Sequence, residues 1–116
     1  MNFSSLKVSD TGVLKLRHPL TGEVIEGAEI VMLGRDSKAF RNLVYEQAKL
    51  GALSEDVKAN DERNLERCCT LVVSISGIEE DGVPITDPMK LFTGYPWALE
   101  QAQVFILNRA NFIQPA

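Results

Sequence analysis

The sequence predicts an α+β domain, mostly helical, with a small β-hairpin or meander near its N-terminus and three to four helices after it. Three observations lead there. Short runs of branched apolar residues flank a Pro/Gly turn within residues 12–33, and helix caps with apolar positions at 3/4 spacing take over after Gly34. No repeat, low-complexity tract or linker divides the 116 residues. That length fits one domain over 1–116, and such a chain buries roughly two-thirds of its unfolded surface. The first eleven residues are weakly patterned and are expected to be loose.

The β element rests on Val13, Leu14 and Leu16, then the turn His18-Pro19-Leu20-Thr21-Gly22, then Val24, Ile25 and Ile30 to Leu33. Gly22 is the natural residue for a positive φ in that turn. Asp36-Ser37 forms an N-cap pair, and Phe40, Leu43, Val44, Gln47 and Ala48 follow at helical spacing, so a helix is predicted near 37–50 with Gly51 as its C-cap. Ser54, Glu55 and Asp56 are placed to start a second helix. Leu65, Cys68, Val72 and Ile75 continue its 3/4/3 spacing, which predicts one helix stopped by Gly77, while the run TLVVSIS also fits a strand. Residues 78–86 read as a loop turning at Asp81-Gly82. Asp87-Pro88 is N-cap chemistry for a short helix over 88–93. Pro96 opens a last helix in which Ala98, Ala102, Phe105, Ile106 and Ala110 share a face, with Phe112 and Ile113 packing back behind it.

Charge narrows the function. Twelve Lys+Arg against sixteen Asp+Glu give a net charge of −4, and no basic cluster stands out, so a phosphate backbone is not the expected partner. No apolar run approaches a membrane span, and the N-terminus has no apolar signal segment, so neither a membrane nor secretion is expected. Cys68 and Cys69 are adjacent and outside any CxxC spacing; one of them is expected to point into the core as a small apolar residue.

Catalytic and metal-binding patterns are sparse. The chain has one histidine, His18, before a proline in the turn, with no orienting partner or co-ligand placed by spacing. No phosphate-loop, nucleophile-elbow, zinc or EF-hand pattern occurs. The acids Glu79, Glu80 and Asp81 read as a solvated loop in preference to a metal site. No catalytic residue, metal or cofactor is therefore expected. Candidate contact residues are sought on the surface instead, although Trp97 also reads as a core anchor of the last helix, and Tyr95 and Phe92 suit either place. Phe92, Tyr95 and Trp97 cluster around Gly94 and Pro96, and aromatic residues are enriched where proteins grip one another. The thinly apolar helix bearing Asp61, Arg63 and Arg67 either projects into water or lies against a neighbour.

Three stretches together resemble the tail assembly chaperones of long-tailed, siphophage-type bacteriophages and prophages. They are His18-Pro19-Leu20-Thr21-Gly22-Glu23; Gly34-Arg35-Asp36-Ser37 with Phe40 and Arg41; and Tyr95-Pro96-Trp97-Ala98-Leu99-Glu100-Gln101 running to Asn108-Arg109-Ala110-Asn111-Phe112. The resemblance covers roughly residues 13–116, and it lies in order and spacing more than in any one motif. It implies a non-enzymatic protein that coats the helical tape measure protein, keeps it soluble, helps recruit tail tube protein and is absent from the mature virion. It further implies self-association, work in the host bacterial cytoplasm and, in many members, a longer form made by ribosomal frameshifting. Two other classes remain: a small phage structural protein such as a head–tail connector or tail-completion factor, and a small enzyme or ligand-binding domain built around His18 or the 79–81 acids.

Overall fold

The computed structural model describes residues 3–49 and 57–113. Strand β1 (Thr11–Arg17) pairs antiparallel with β2 (Val24–Leu33), matching Val13 to Val31 and Leu14 to Ile30. The turn between them closes through His18 N–H to the Glu23 carbonyl at 2.8 Å and Gly22 N–H to the His18 carbonyl at 2.9 Å. Gly22 has a φ of 75°, as a turn of this kind requires. Along β1 the residues alternate between exposed and buried, so Leu14 and Leu16 point inward while Val13 and Lys15 face outward.

Helix α1 (Lys38–Lys49) begins at Ser37, whose Oγ accepts the Phe40 N–H at 3.2 Å and donates to the Gly34 carbonyl at 2.7 Å. Of the residues assigned to its apolar stripe, Phe40 and Leu43 are half-buried, Val44 is exposed and Gln47 is buried. The expected caps at Gly51 and at Ser54, Glu55 and Asp56 lie outside the described residues.

Helix α2 (Val57–Leu71) corrects the continuous-helix expectation. It ends at Leu71, and the next residue already belongs to strand β3 (Val72–Ser76), which pairs antiparallel with β2 through Ile75–Ile30 and Ser74–Val31. The sheet order is β1-β2-β3. Two causes favour the strand. Val72, Val73 and Ile75 are β-branched and suit a pleated surface. A helix running on to residue 76 would also leave the inner edge of β2 without backbone partners. Gly77 ends the strand, with a φ of 70° and a position so close to Gly27 that an added Cβ would stand 1.8 Å from the Gly27 carbonyl oxygen.

Residues expected as loop form a minimal hairpin, β4 (Glu79–Glu80) against β5 (Val83–Pro84). Its turn is at Asp81-Gly82, as anticipated, with φ of 52° and 79°; two successive positive φ values match the twist of a tight hairpin. Helix α3 (Pro88–Gly94) starts at Asp87, whose carboxylate accepts the Met89 N–H at 3.0 Å. Helix α4 (Pro96–Leu107) follows and buries Ala98, Ala102, Phe105 and Ile106. Ala110 does not share that face: it is exposed in a short 3₁₀ turn (Arg109–Phe112) after the helix has ended.

The inward faces of β1 and β2 and the buried faces of α2, α3 and α4 share a single core. Leu14, Leu16, Ala28, Ile30 and Met32 supply the sheet side; Cys68, Leu71, Leu91, Phe92, Ala102 and Ile106 supply the helical side. Phe112 closes one end. It is 1% exposed, meets Phe105 edge-to-face at 5.2 Å, and covers Gly12 and Gly34, where an added Cβ would come within about 3 Å of its ring. The N-terminal residues join this end, with Val8 bridging Ile113 and the Ser9 N–H donating to the Phe112 carbonyl at 2.7 Å. The α+β class is the fold of this chain, and its three-stranded sheet adds β3, from beyond the expected hairpin or meander region, to β1 and β2.

Candidate interaction surface

The three aromatic candidates separate. Phe92 is only 1% exposed and belongs to the core, so its ring is not presented to a partner; it is buried with Leu91 on the inner side of α3. Tyr95 and Trp97 are half-buried and meet edge-to-face at 6.1 Å and 77°. With Leu16, Ile25 and Ile78 they line a shallow cavity of about 210 Å³ between the sheet and the start of α4. Partial burial and the neighbouring acids Glu80 and Asp81 raise the Tyr95 phenol above its ordinary pKa. Lys90 sits 3.8 Å from Glu80 on the same rim.

The charged candidates form a second, different group. Arg67 fastens α2 to α1. Its Nη2 donates to Gln47 Oε1 at 2.7 Å, its guanidinium lies 5.6 Å from the centre of the Phe40 ring, and Gln47 Nε2 donates in turn to the Arg63 carbonyl at 3.3 Å. Arg67 Nε is buried and has no hydrogen-bond partner among the described residues. Arg63 is half-buried and engaged, and Asp61 is exposed. Arg67 lines a cleft with Asn64, Cys68, Gln103, Ile106 and Leu107, away from the cavity that Tyr95 and Trp97 line. The six candidates therefore do not make one patch.

His18 is occupied locally. Its Nδ1 accepts the Leu20 N–H at 3.1 Å and the Thr21 N–H at 3.4 Å, so the imidazole caps its own turn. Cys68 points into the core at 1% exposure, and burial pushes its thiol up to about 12. Cys69 is half-buried, and burial raises its thiol too. Among the described residues no group of three or more His, Cys, Asp or Glu is arranged to hold a metal ion, and no helix is long and apolar enough to cross a membrane.

Two junctions were not legible in the sequence, because nothing in a linear pattern pairs residues more than seventy positions apart. Asp36 and Arg109 form a two-pronged ion pair, Nε to Oδ2 at 2.6 Å and Nη2 to Oδ1 at 3.0 Å. That bond is the main reason the Asp36 carboxyl sits below its ordinary value of 3.8. Gln101 brackets the end of β1, accepting the Arg17 N–H and donating to the Arg17 carbonyl, both at 2.8 Å. Beside the first junction runs an open groove of about 500 Å³ lined by Arg35, Asp36, Phe40, Arg41, Val44, Tyr45 and Arg109. Sequence reading missed this groove. The signal available was an exposed apolar pair, Val44-Tyr45, one turn beyond the cations of residues 35–41.

Compared with family models, with curated proteins and with solved structures, the chain has no match in any of the three.

Proposed function

We propose that this protein is a tail assembly chaperone of a long-tailed bacteriophage or prophage: it binds the tape measure protein without catalysis, keeps it soluble and helps bring tail tube subunits to it. The observation that carries this reading is the convergence of the three stretches on which the resemblance rests. Gln101 of the third brackets Arg17 at the base of the first. Arg109 of the third grips Asp36 of the second, and Phe112 covers Gly34. These contacts join the three stretches into one end of the domain, so that Arg17, Asp36 and Gly34 each depend on a residue of the third.

The mechanism fits a small acidic domain with partly open aromatic and apolar surface. A long helical client exposes apolar stripes that aggregate in water. Each chaperone covers a short length, and many weak contacts along one client add up through avidity. Weakness also lets tube subunits displace the chaperones as the tube grows. Self-association along the client, action in the host bacterial cytoplasm, departure before the virion is complete and a longer frameshifted form belong to the same proposal.

Co-expression with the tape measure protein of the same gene cluster, followed by pulldown and sizing, tests it. A soluble complex is expected, with the tape measure protein insoluble when made alone. An insoluble tape measure protein with nothing co-eluting would overturn the reading. Mass spectrometry of purified particles separates the neighbouring class, because a head–tail connector or tail-completion factor stays in the virion and a chaperone does not.

A further inference from the structure

The groove along α1 has a charge opposite to that of the molecule. Arg35, Arg41 and Arg109 line it against one carboxylate among the described residues, that of Asp36, in a chain whose net charge is −4. Arg109 is committed to Asp36, and Arg35 donates at 3.4 Å to the Leu107 carbonyl. The Arg41 side chain is exposed and has no ion pair or hydrogen bond among the described residues. Both Arg35 and Arg41 are near enough to Asp36 to hold its carboxyl down, so the positive charge is concentrated and exceeds what the one acid neutralises.

Apolar surface continues from these cations. Val44 and Tyr45 follow Arg41 by three and four positions, so they share its face of the helix, and they are 39% and 64% exposed. Phe40 forms the inner wall, held under Arg67. The groove thus offers cations at one end and an apolar shelf about one helical turn further on. An amphipathic helix with carboxylates at one turn and apolar side chains at the next matches that spacing, in the manner of helix-in-groove recognition.

We infer that this groove is a docking site for an acidic amphipathic helical segment of a partner protein, with Arg41 and Arg35 receiving its carboxylates and Val44 and Tyr45 its apolar side chains. A nucleic acid fits less well. A phosphate backbone needs a continuing track of cations, whereas here the cations give way to the apolar shelf and the rest of the molecule repels a polyanion. The inference stands on the groove alone and goes beyond the chaperone reading, since neither requires the other.

The test is an NMR titration of the ¹⁵N-labelled full chain with three probes: a synthetic helical peptide of Leu and Glu in amphipathic spacing, the same peptide with Lys for Glu, and a single-stranded oligothymidylate of matched length. The Glu peptide is expected to bind, to move amides confined to residues 35–45 and 107–110, and to weaken as salt is raised. Arg41→Glu should weaken it by about tenfold or more, while Arg41→Lys stays within about threefold of the parent. Val44→Ser, a second exposed change that leaves the charges in place, should also weaken it. Equal or tighter binding of the Lys peptide or the oligothymidylate, movement elsewhere, no response to Arg41→Glu in a variant that keeps its native spectrum, or no binding of the Glu peptide would each overturn the inference. If the tape measure protein co-elutes while the groove fails these tests, the groove falls and the chaperone reading stands.

Discussion

Helices α1 and α4 are each twelve residues long, yet they stand in opposite relation to the core. Helix α4 is apolar nearly all round, and it buries Ala98, Ala102, Phe105 and Ile106 while tying back to the sheet through Gln101. Helix α1 has the cleaner amphipathic pattern, yet its one buried residue among those whose side chains are described is the polar Gln47, and Val44 and Tyr45 face outward. A strong apolar stripe therefore says that a helix has something to bury; it does not say that its own domain buries it. The α4 side of the molecule is built for permanence, whereas among the described residues the α1 side keeps apolar surface exposed, which places the groove where a partner can complete it.

The sharpest way to break this contrast is to remove the plug at the α4 end. Phe112→Ala should cost about 3–5 kcal/mol, because the cavity over Gly12 and Gly34 has no side chains to collapse into it. Urea denaturation measures this, and a loss below 1 kcal/mol would show that the end is not held by the ring. On the α1 side the corresponding change is Gln47→Ala, expected to cost about 1–3 kcal/mol. The cost arises because Arg67, whose Nε has no partner among the described residues, would lose the Gln47 acceptor of its Nη2. An unchanged unfolding midpoint would mean that α1 is held by its half-buried Phe40 and Leu43 alone.

The junction between the two sides carries a pH signature. Pairing with Arg109 lowers the folded Asp36 carboxyl below its ordinary value of 3.8, so its contribution is present above that value and is lost as pH falls through the lowered one. The stability difference between the parent and Asp36→Asn should thus be constant near neutrality and shrink in acid below about pH 4. Unfolding curves at several pH values test this, and a difference that grows in acid would reverse the sign and exclude the pair as its source. Burial of Cys68 acts in the other direction: its folded thiol titrates near 12, against 9.0 ordinarily. Stability should fall as pH rises above the ordinary thiol value, and Cys68→Ser should flatten that alkaline decline.

Most of the local structure was legible because local chemistry determines it. The turn at Gly22, the Ser37 and Asp87 caps, the Asp81-Gly82 turn and the start of α4 at Pro96 each depend on residues within a few positions of one another. The run from Val72 to Ser76 was misread because Val72 and Ile75 fit both a helix and a strand, and only an unpaired edge of β2 decides between them. The candidate contact residues were the least legible. Phe92 and Trp97 look alike from composition, yet one is enclosed by the core and the other is half-open beside it. Arg67 looked like a solvated charge until Phe40 and Gln47 came up against it from another helix.

By itself, then, the sequence determined the α+β class, the positions of the caps and turns, and the resemblance that frames the functional proposal, all of which follow from short-range conformational preference and the order of residues. The tertiary structure alone decided that β3 is a strand, that Asp36 meets Arg109 and Gln101 meets Arg17, and that Arg41 of α1 lines one groove with Arg35 and Arg109. The physical reason is the same in each case. Backbone pairing, ion pairing and burial depend on what another part of the chain presents, and that partner is set by the packing of the whole domain.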